Sequence, residues 1–168
     1  MKSDILSFIE EKHKFLQERL PEHYDKYKTV VDVGLPLMLV NKILTEQKEK
    51  IFNSKYGLTT SEFDVLMSLL CQNKPLTPTE LYENMIFSSG GMTKLLKKLE
   101  SKKLIHRLPS QEDKRSMLVS ITPQGVELTI KAFDDIVRIT MDSFGVLDES
   151  EKNIFEKILK KILVKLDC

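Results

Sequence analysis

Tryptophan is missing from this chain, and cysteine nearly so: Cys71 and Cys168 stand far apart, at no spacing that would hold a metal. The histidines, His13, His23 and His106, are scattered without Cys or Asp/Glu partners at ligand spacing, so no metal site is expected. So little cysteine fits a reducing cytoplasm better than a disulfide scaffold. With 6 glycines and 6 prolines there is little room for low-complexity sequence. No apolar run is long enough to span a bilayer, and the opening MKSDILSFIEEKHKF mixes charges with hydrophobes, unlike a signal peptide. A nucleophile–base pair, a phosphate-cradling glycine loop after a strand and a metal motif are all lacking, which argues against an enzyme and against a bound cofactor.

What is present suffices for one domain. The 168 residues are 41% hydrophobic and 30% charged, with a net charge of only +1. Residues 3–20 carry Ile5, Leu6, Phe8, Ile9, Phe15, Leu16 and Leu20 among charges, an amphipathic helix stopped by Pro21. A linker-like stretch with His23, Tyr24 and Tyr27 follows. Residues 35–54 form a long helix with Leu37, Met38, Val40, Ile43, Leu44, Ile51 and Phe52 as its stripe, and Pro36 either begins or kinks it. Thr59 and Glu62 make a capping box ahead of Phe63, Val65, Leu66, Leu69 and Leu70, ending at residues 73–75. Thr77-Pro78-Thr79-Glu80 repeats that signal and opens a short helix to about residue 84.

After a turn, Ser88 caps a helix over residues 88–102 whose core stripe is Met92, Leu95, Leu96 and Leu99. Residues 104–108 and 117–121 read as two short strands joined by a polar tip. Thr122-Pro123 starts another helix with Val126, Ile130, Phe133, Val137 and Met141 near-periodic. Asp148 with Glu151 caps a last one, lined by Ile154, Phe155, Ile158, Leu159, Ile162, Leu163 and Leu166. The expected fold is mainly α with a small β-hairpin wing.

Charge singles out one segment. Residues 84–115 hold Lys94, Lys97, Lys98, Lys102, Lys103, Arg107, Lys114 and Arg115 against Glu100, Glu112 and Asp113, a local charge of +5 that leaves −4 for the rest. Positive charge on a helix–turn–helix pattern suits a polyanion, with double-stranded DNA the leading candidate. A lysine-bearing face is often only a solvated one. Gly90 and Gly91 tip the balance, since glycine costs about 1 kcal/mol relative to alanine inside a helix, whereas bare backbone at a helix entry approaches phosphate closely. Ser89 and Thr93 lie near that entry, where side chains reach base edges; Ser88 is better read as a cap. Lys94, Lys97 and Lys98 are expected to meet phosphates. Thr77 and Thr79 each offer a hydroxyl to phosphate, with capping the plainer role for Thr77, and Arg107 on the first strand ties wing to helix or touches phosphate.

The middle of the chain resembles the MarR family of bacterial transcriptional regulators. The resemblance rests on Gly57-Leu58-Thr59 ahead of Phe63 and Leu66, Thr79-Glu80-Leu81, and Ser89-Gly90-Gly91-Met92-Thr93 with residues 95–100. It continues through Asp113-Lys114-Arg115-Ser116 and Thr122-Pro123-Gln124-Gly125, covering residues 35–165 in all. It implies one MarR-like domain over residues 1–168: a winged helix–turn–helix lobe at 57–125, and dimerisation helices at 1–54 and 126–168. It also implies a cytoplasmic homodimer on a palindromic operator, most simply a repressor, tuned by a small aromatic molecule, another effector or oxidation. Carried over onto the charged tip, Arg115 enters the minor groove, Asp113 braces it and Lys114 flanks it. Two departures stand out. Lys103 occupies the corner where the family often has glycine, and the N-terminal region, of about thirty residues, is longer than the family minimum.

Tyr24, Tyr27, Phe52 and Phe63 are the candidates to line an effector pocket, with core packing the plainer role for most of them. Cys71 closes an apolar helix and reads as a small buried hydrophobe before a redox sensor. The competing function is a winged helix that serves as a protein–protein or dimerisation module without DNA; it calls for a neutral or apolar second helix, and the lysines argue against it.

Overall fold

Pro21 ends the first helix as expected. In the computed structural model, which describes residues 2–84, 91–109 and 117–166, α1 (Lys2–Arg19) gives way to a 3-10 turn at Pro21–His23. The stretch with Tyr24 and Tyr27, expected as a linker, is instead a helix, α2 (Tyr24–Thr29). A π turn at Val30–Gly34 joins it to α3 (Leu35–Ile51). Pro36 therefore stands in the first turn of α3, at the start of the long helix as expected. The Leu35 N–H bonds back to the Val30 carbonyl, and this widened turn just before the proline absorbs its ring and its missing donor.

The chain packs as two compact units, Met1–Lys50 and Ile51–Cys168. In the first, α1 lies against α2 and the π turn. Leu16 and Val31 are buried there, and His13 Nε2 sits 3.0 Å from Asp32 Oδ1.

The second unit begins with a π turn, Phe52–Tyr56, closed by Gly57 at φ +61°, a left-handed position that glycine adopts without penalty. Then come α4 (Thr60–Gln72), α5 (Pro78–Glu83), α6 (Met92–Ser101), β1 (Ile105–Pro109), β2 (Met117–Ile121), α7 (Pro123–Phe144) and α8 (Glu149–Leu166). Both expected capping boxes form: the hydroxyls of Thr59 and Thr77 accept from the Glu62 and Glu80 amides, and each carboxylate accepts from its cap N–H at 2.7 Å. The strands pair antiparallel, Ile105 opposite Ile121 and Pro109 opposite Met117. Leu76, unread as a strand residue, exchanges two backbone hydrogen bonds with Val119 and so adds a third, one-residue strand.

One core serves all of this: Phe52, Leu58, Phe63, Leu66, Leu69, Leu76, Leu81, Leu96, Leu99 and Val119 close on one another, with Phe52 and Phe63 stacked at 4.5 Å. The side of α7 turned to this core is not its apolar stripe. Gly125, Thr129, Ala132 and Asp135 are the buried positions, while Ile130, Phe133, Val137 and Met141 are exposed. No residue of α8 is buried, and Ile154, Ile158, Ile162 and Leu163 stand in the open. Among the described residues no helix is long and apolar enough to cross a membrane.

The chain turns from α6 into β1 at a tight corner. Lys103 adopts φ +59°, its N–H bonds to the Glu100 carbonyl, and the Leu104 N–H reaches back to Leu99. This is a Schellman closure made without glycine, held by the burial of Leu99 and Leu104. The Leu104 carbonyl then accepts from the Thr122 N–H at 3.0 Å. Gly125 packs so closely on it that an added Cβ would lie 2.2 Å from that oxygen. Relieving Lys103 of the left-handed penalty, Lys103→Gly should raise stability by about 0.5–1 kcal/mol after glycine's own entropy cost. Gly125→Ala should lower it by about 3 kcal/mol because backbone, not a flexible side chain, must move. Urea unfolding of the two variants checks both.

Candidate nucleic-acid interface

Helix α6 is set by its buried side. Leu96 and Leu99 are buried with Met92 and Leu95 half-buried, as the stripe demanded, and Thr93, Lys94, Lys97 and Lys98 all face solvent. Among the described residues none of these three lysines sits in an ion pair, so their charges are available to a partner. The helix starts later than expected: its cap is Gly91, at φ +95°, and not Ser88. Gly91 thus lies just outside the first turn, in a conformation that L side chains rarely adopt. Among the described residues no side chain caps the first amides of α6, which start beside the exposed Gly91 and Thr93. Ser88, Ser89 and Gly90, and the tip residues Asp113, Lys114 and Arg115, lie outside the described residues.

Two other basic residues of the cluster are committed to the fold. The Lys102 ammonium reaches Glu62 Oε1 and the Gly57 carbonyl, each at 2.8 Å. Glu62 is 1% exposed; its other oxygen takes the Thr59 N–H. Burial pushes the Glu62 carboxyl up, but the Lys102 hydrogen bond and the Thr59 amide together pull it below its ordinary value. On the wing, Arg107 turns inward and places Nε 3.3 Å from Glu100 Oε2, tying β1 to α6. The contact is a charge pairing rather than an aligned hydrogen bond, and Nη2 is buried with no acceptor among the described residues. The Thr77 hydroxyl both accepts from the Glu80 amide and donates to Glu80 Oε2, whereas Thr79 is exposed.

The remaining candidates divide. Phe52 and Phe63 pack on each other inside the lobe. Tyr24 and Tyr27 are half-exposed on α2, Tyr27 with its ring 5.5 Å from His23. Cys71 is exposed, against the expectation of burial, because it lies on the last turn of α4 away from the Leu66 and Leu69 face. No cluster of potential metal ligands occurs among the described residues. Sequence reasoning passed over Lys102 as an anchor: the Glu62 cap was visible, but its partner 40 positions away was not.

Two helices packed in succession, the second basic and solvent-facing, followed by a paired hairpin, make a winged helix–turn–helix lobe. The model for the transcriptional regulator SarA/Rot matches residues 47–136. MarR of Salmonella typhimurium is 32% identical over 107 residues, 62% of this chain and 71% of that protein. SarZ of Staphylococcus epidermidis is 30% identical over 113 residues, 67% of this chain and 75% of that protein. The structure of a cysteine-to-serine mutant of MarR from E. coli, complexed with operator DNA, superposes with a TM-score of 0.65 at 27% identity, over 82% of this chain and 97% of that one. This chain belongs to the MarR family of transcriptional regulators.

Because Lys102 offsets a buried charge, Lys102→Met should destabilise the lobe by about 2 kcal/mol, less than for a fully buried pair since the ammonium is partly solvated. The difference from wild type should be complete at neutral pH. It should shrink as pH falls below about 4.5, the ordinary Glu62 value, through the depressed folded one, because a protonated Glu62 no longer needs the ammonium. Unfolding curves at stepped pH report it.

Proposed function

We propose that this regulator binds a palindromic operator as a homodimer, each protomer laying α6 in a major groove and its wing in the flanking minor groove. The observation that carries the reading is the exposed face of α6, where Thr93, Lys94, Lys97 and Lys98 follow a helix start whose amides no side chain among the described residues caps. Ammonium groups neutralise phosphates and position the helix, while Thr93 and the entry backbone lie nearest the bases. Arg115 is the minor-groove contact, with Asp113 as its brace and Lys114 on the adjacent backbone. The operator complex of the E. coli relative supports operator DNA as the partner.

The dimer rests on a second observation. Ile130, Phe133, Val137 and Met141 of α7, with Ile154, Ile158 and Ile162 of α8, leave apolar stripes at helical spacing uncovered in the lone chain. A second copy would cover them, and stripes of this extent are unusual on a monomer. Repression follows by occupancy of the operator, and a small aromatic effector or an oxidant acts by altering how far apart the two lobes stand.

Gel-shift titration over a salt series tests the interface. Arg115→Ala should weaken operator binding by about 1–3 kcal/mol with the dimer intact. Replacing Lys94, Lys97 and Lys98 together by Gln should flatten the salt slope by about 5, from six phosphate contacts in a dimer. Unchanged affinity and slope would leave the protein-interaction reading in its place. Light scattering tests the dimer: Phe133→Glu with Ile158→Glu should give a folded monomer, and a persisting dimer would move the interface elsewhere.

A further inference from the structure

Asp135 is a carboxylate where the other fully buried positions of α7 are the small residues Gly125, Thr129 and Ala132. Its side chain is 9% exposed and three donors converge on it. The Tyr56 hydroxyl lies 2.6 Å from Oδ2, the Lys55 ammonium 2.5 Å from the same oxygen, and Arg138 Nη2 3.0 Å from Oδ1. Tyr56 also reaches the Lys131 carbonyl at 2.9 Å, so its hydroxyl straddles a full turn of α7. The Lys55 hydrogen bond, then that of Tyr56, holds the Asp135 carboxyl below its ordinary range, keeping it ionised against burial.

The position of this cluster gives it a consequence. Tyr56 immediately precedes Gly57, where the chain enters the DNA-binding lobe; Thr122 to Gly125 is where it leaves. The exit is pinned at the Leu104 carbonyl. Asp135 lies ten positions further along α7, about 15 Å at the rise of an α-helix. Between the two points α7 presents Thr129 and Ala132 to the lobe, with Leu128 and Ile136 half-buried against its core, and van der Waals packing of this kind fixes an angle less sharply than a directional hydrogen bond. A body pinned at one point rocks, and one pinned at two does not. An apolar side chain in place of a buried ionic group is commonly as stable or more so, so stability alone does not account for the directional set found here.

We propose that Asp135, gripped by Tyr56, Lys55 and Arg138, is a positioning residue that locks the DNA-binding lobe at one angle on α7 and so sets the spacing of the two recognition helices in the dimer. This rests on the homodimer and operator reading above, and it places control of half-site spacing in residues that touch no DNA.

Spin labels on the exposed Cys71 in a Cys168→Ser background give the distance between lobes of the DNA-free dimer by double electron–electron resonance. Tyr56→Phe, which removes one hydroxyl and keeps the ring, and Asp135→Asn should each broaden that distance distribution at least twofold. Both should lower affinity for the best-spaced operator about tenfold and narrow its advantage over operators one base pair longer or shorter. Variants with a lower melting temperature but unchanged distance width and spacing preference would reduce the cluster to a structural role and overturn the proposal. A wild-type dimer that binds no DNA would sink the operator reading, while the distance widths still decide the lock. No inter-protomer distance in wild type would overturn the dimer and the lock together.

Discussion

Where α6 runs into β1, three consecutive residues make contacts that the surrounding elements depend on. Lys102 carries its charge to the buried Glu62 and so joins the end of α6 to the start of α4. Lys103 takes the left-handed conformation that turns the backbone, and Leu104 offers the carbonyl on which Thr122 and Gly125 settle. The angle between the basic face of α6 and the wing is thereby set by backbone hydrogen bonds and one close approach. Those groups are short-range and directional, which is why a lysine is tolerated in a glycine's place: the neighbouring contacts outweigh its conformational penalty of about 1–2 kcal/mol.

The lysines of this region show that residue type alone says little about role. Lys94, Lys97 and Lys98 project from the face opposite Leu96 and Leu99 and stay exposed. Lys102 lies one turn on, where the helix ends against α4, and its ammonium is consumed inside the protein. Arg107 faces inward on its strand and meets Glu100. The local excess of positive charge therefore overstates what a polyanion would meet, and among the described residues the exposed part lies on α6 and at Lys103.

A comparable division runs through α7. Ile130, Phe133, Val137 and Met141 stand exposed, and its fully buried positions are a glycine, a threonine, an alanine and an ionised aspartate, flanked by half-buried Leu128 and Ile136. Small side chains let helix and lobe approach closely, while the large ones remain for another surface. The Ile130, Phe133, Val137 and Met141 stripe does not mark the side buried in its own unit, because a stripe records that apolar surface must be covered and not what covers it.

Signals that act within a turn or two of chain were legible in the sequence. The Thr59–Glu62 and Thr77–Glu80 caps, the Met92, Leu95, Leu96 and Leu99 stripe, the stop at Pro21 and the strand pair beyond Leu104 depend on neighbours at fixed offsets, so the residue types themselves specify them. The lysine cluster and the order of the MarR-like motifs were legible for the same reason. Tertiary structure alone decided the rest: the Leu76–Val119 bridge, the Lys102–Glu62 pair, the closeness of Gly125 to Leu104, the Tyr56–Asp135 contact and the exposure of Cys71. Each of the paired contacts joins residues far apart in the chain, and neither partner's local pattern names the other; only the packing of the elements brings them within hydrogen-bonding or van der Waals reach.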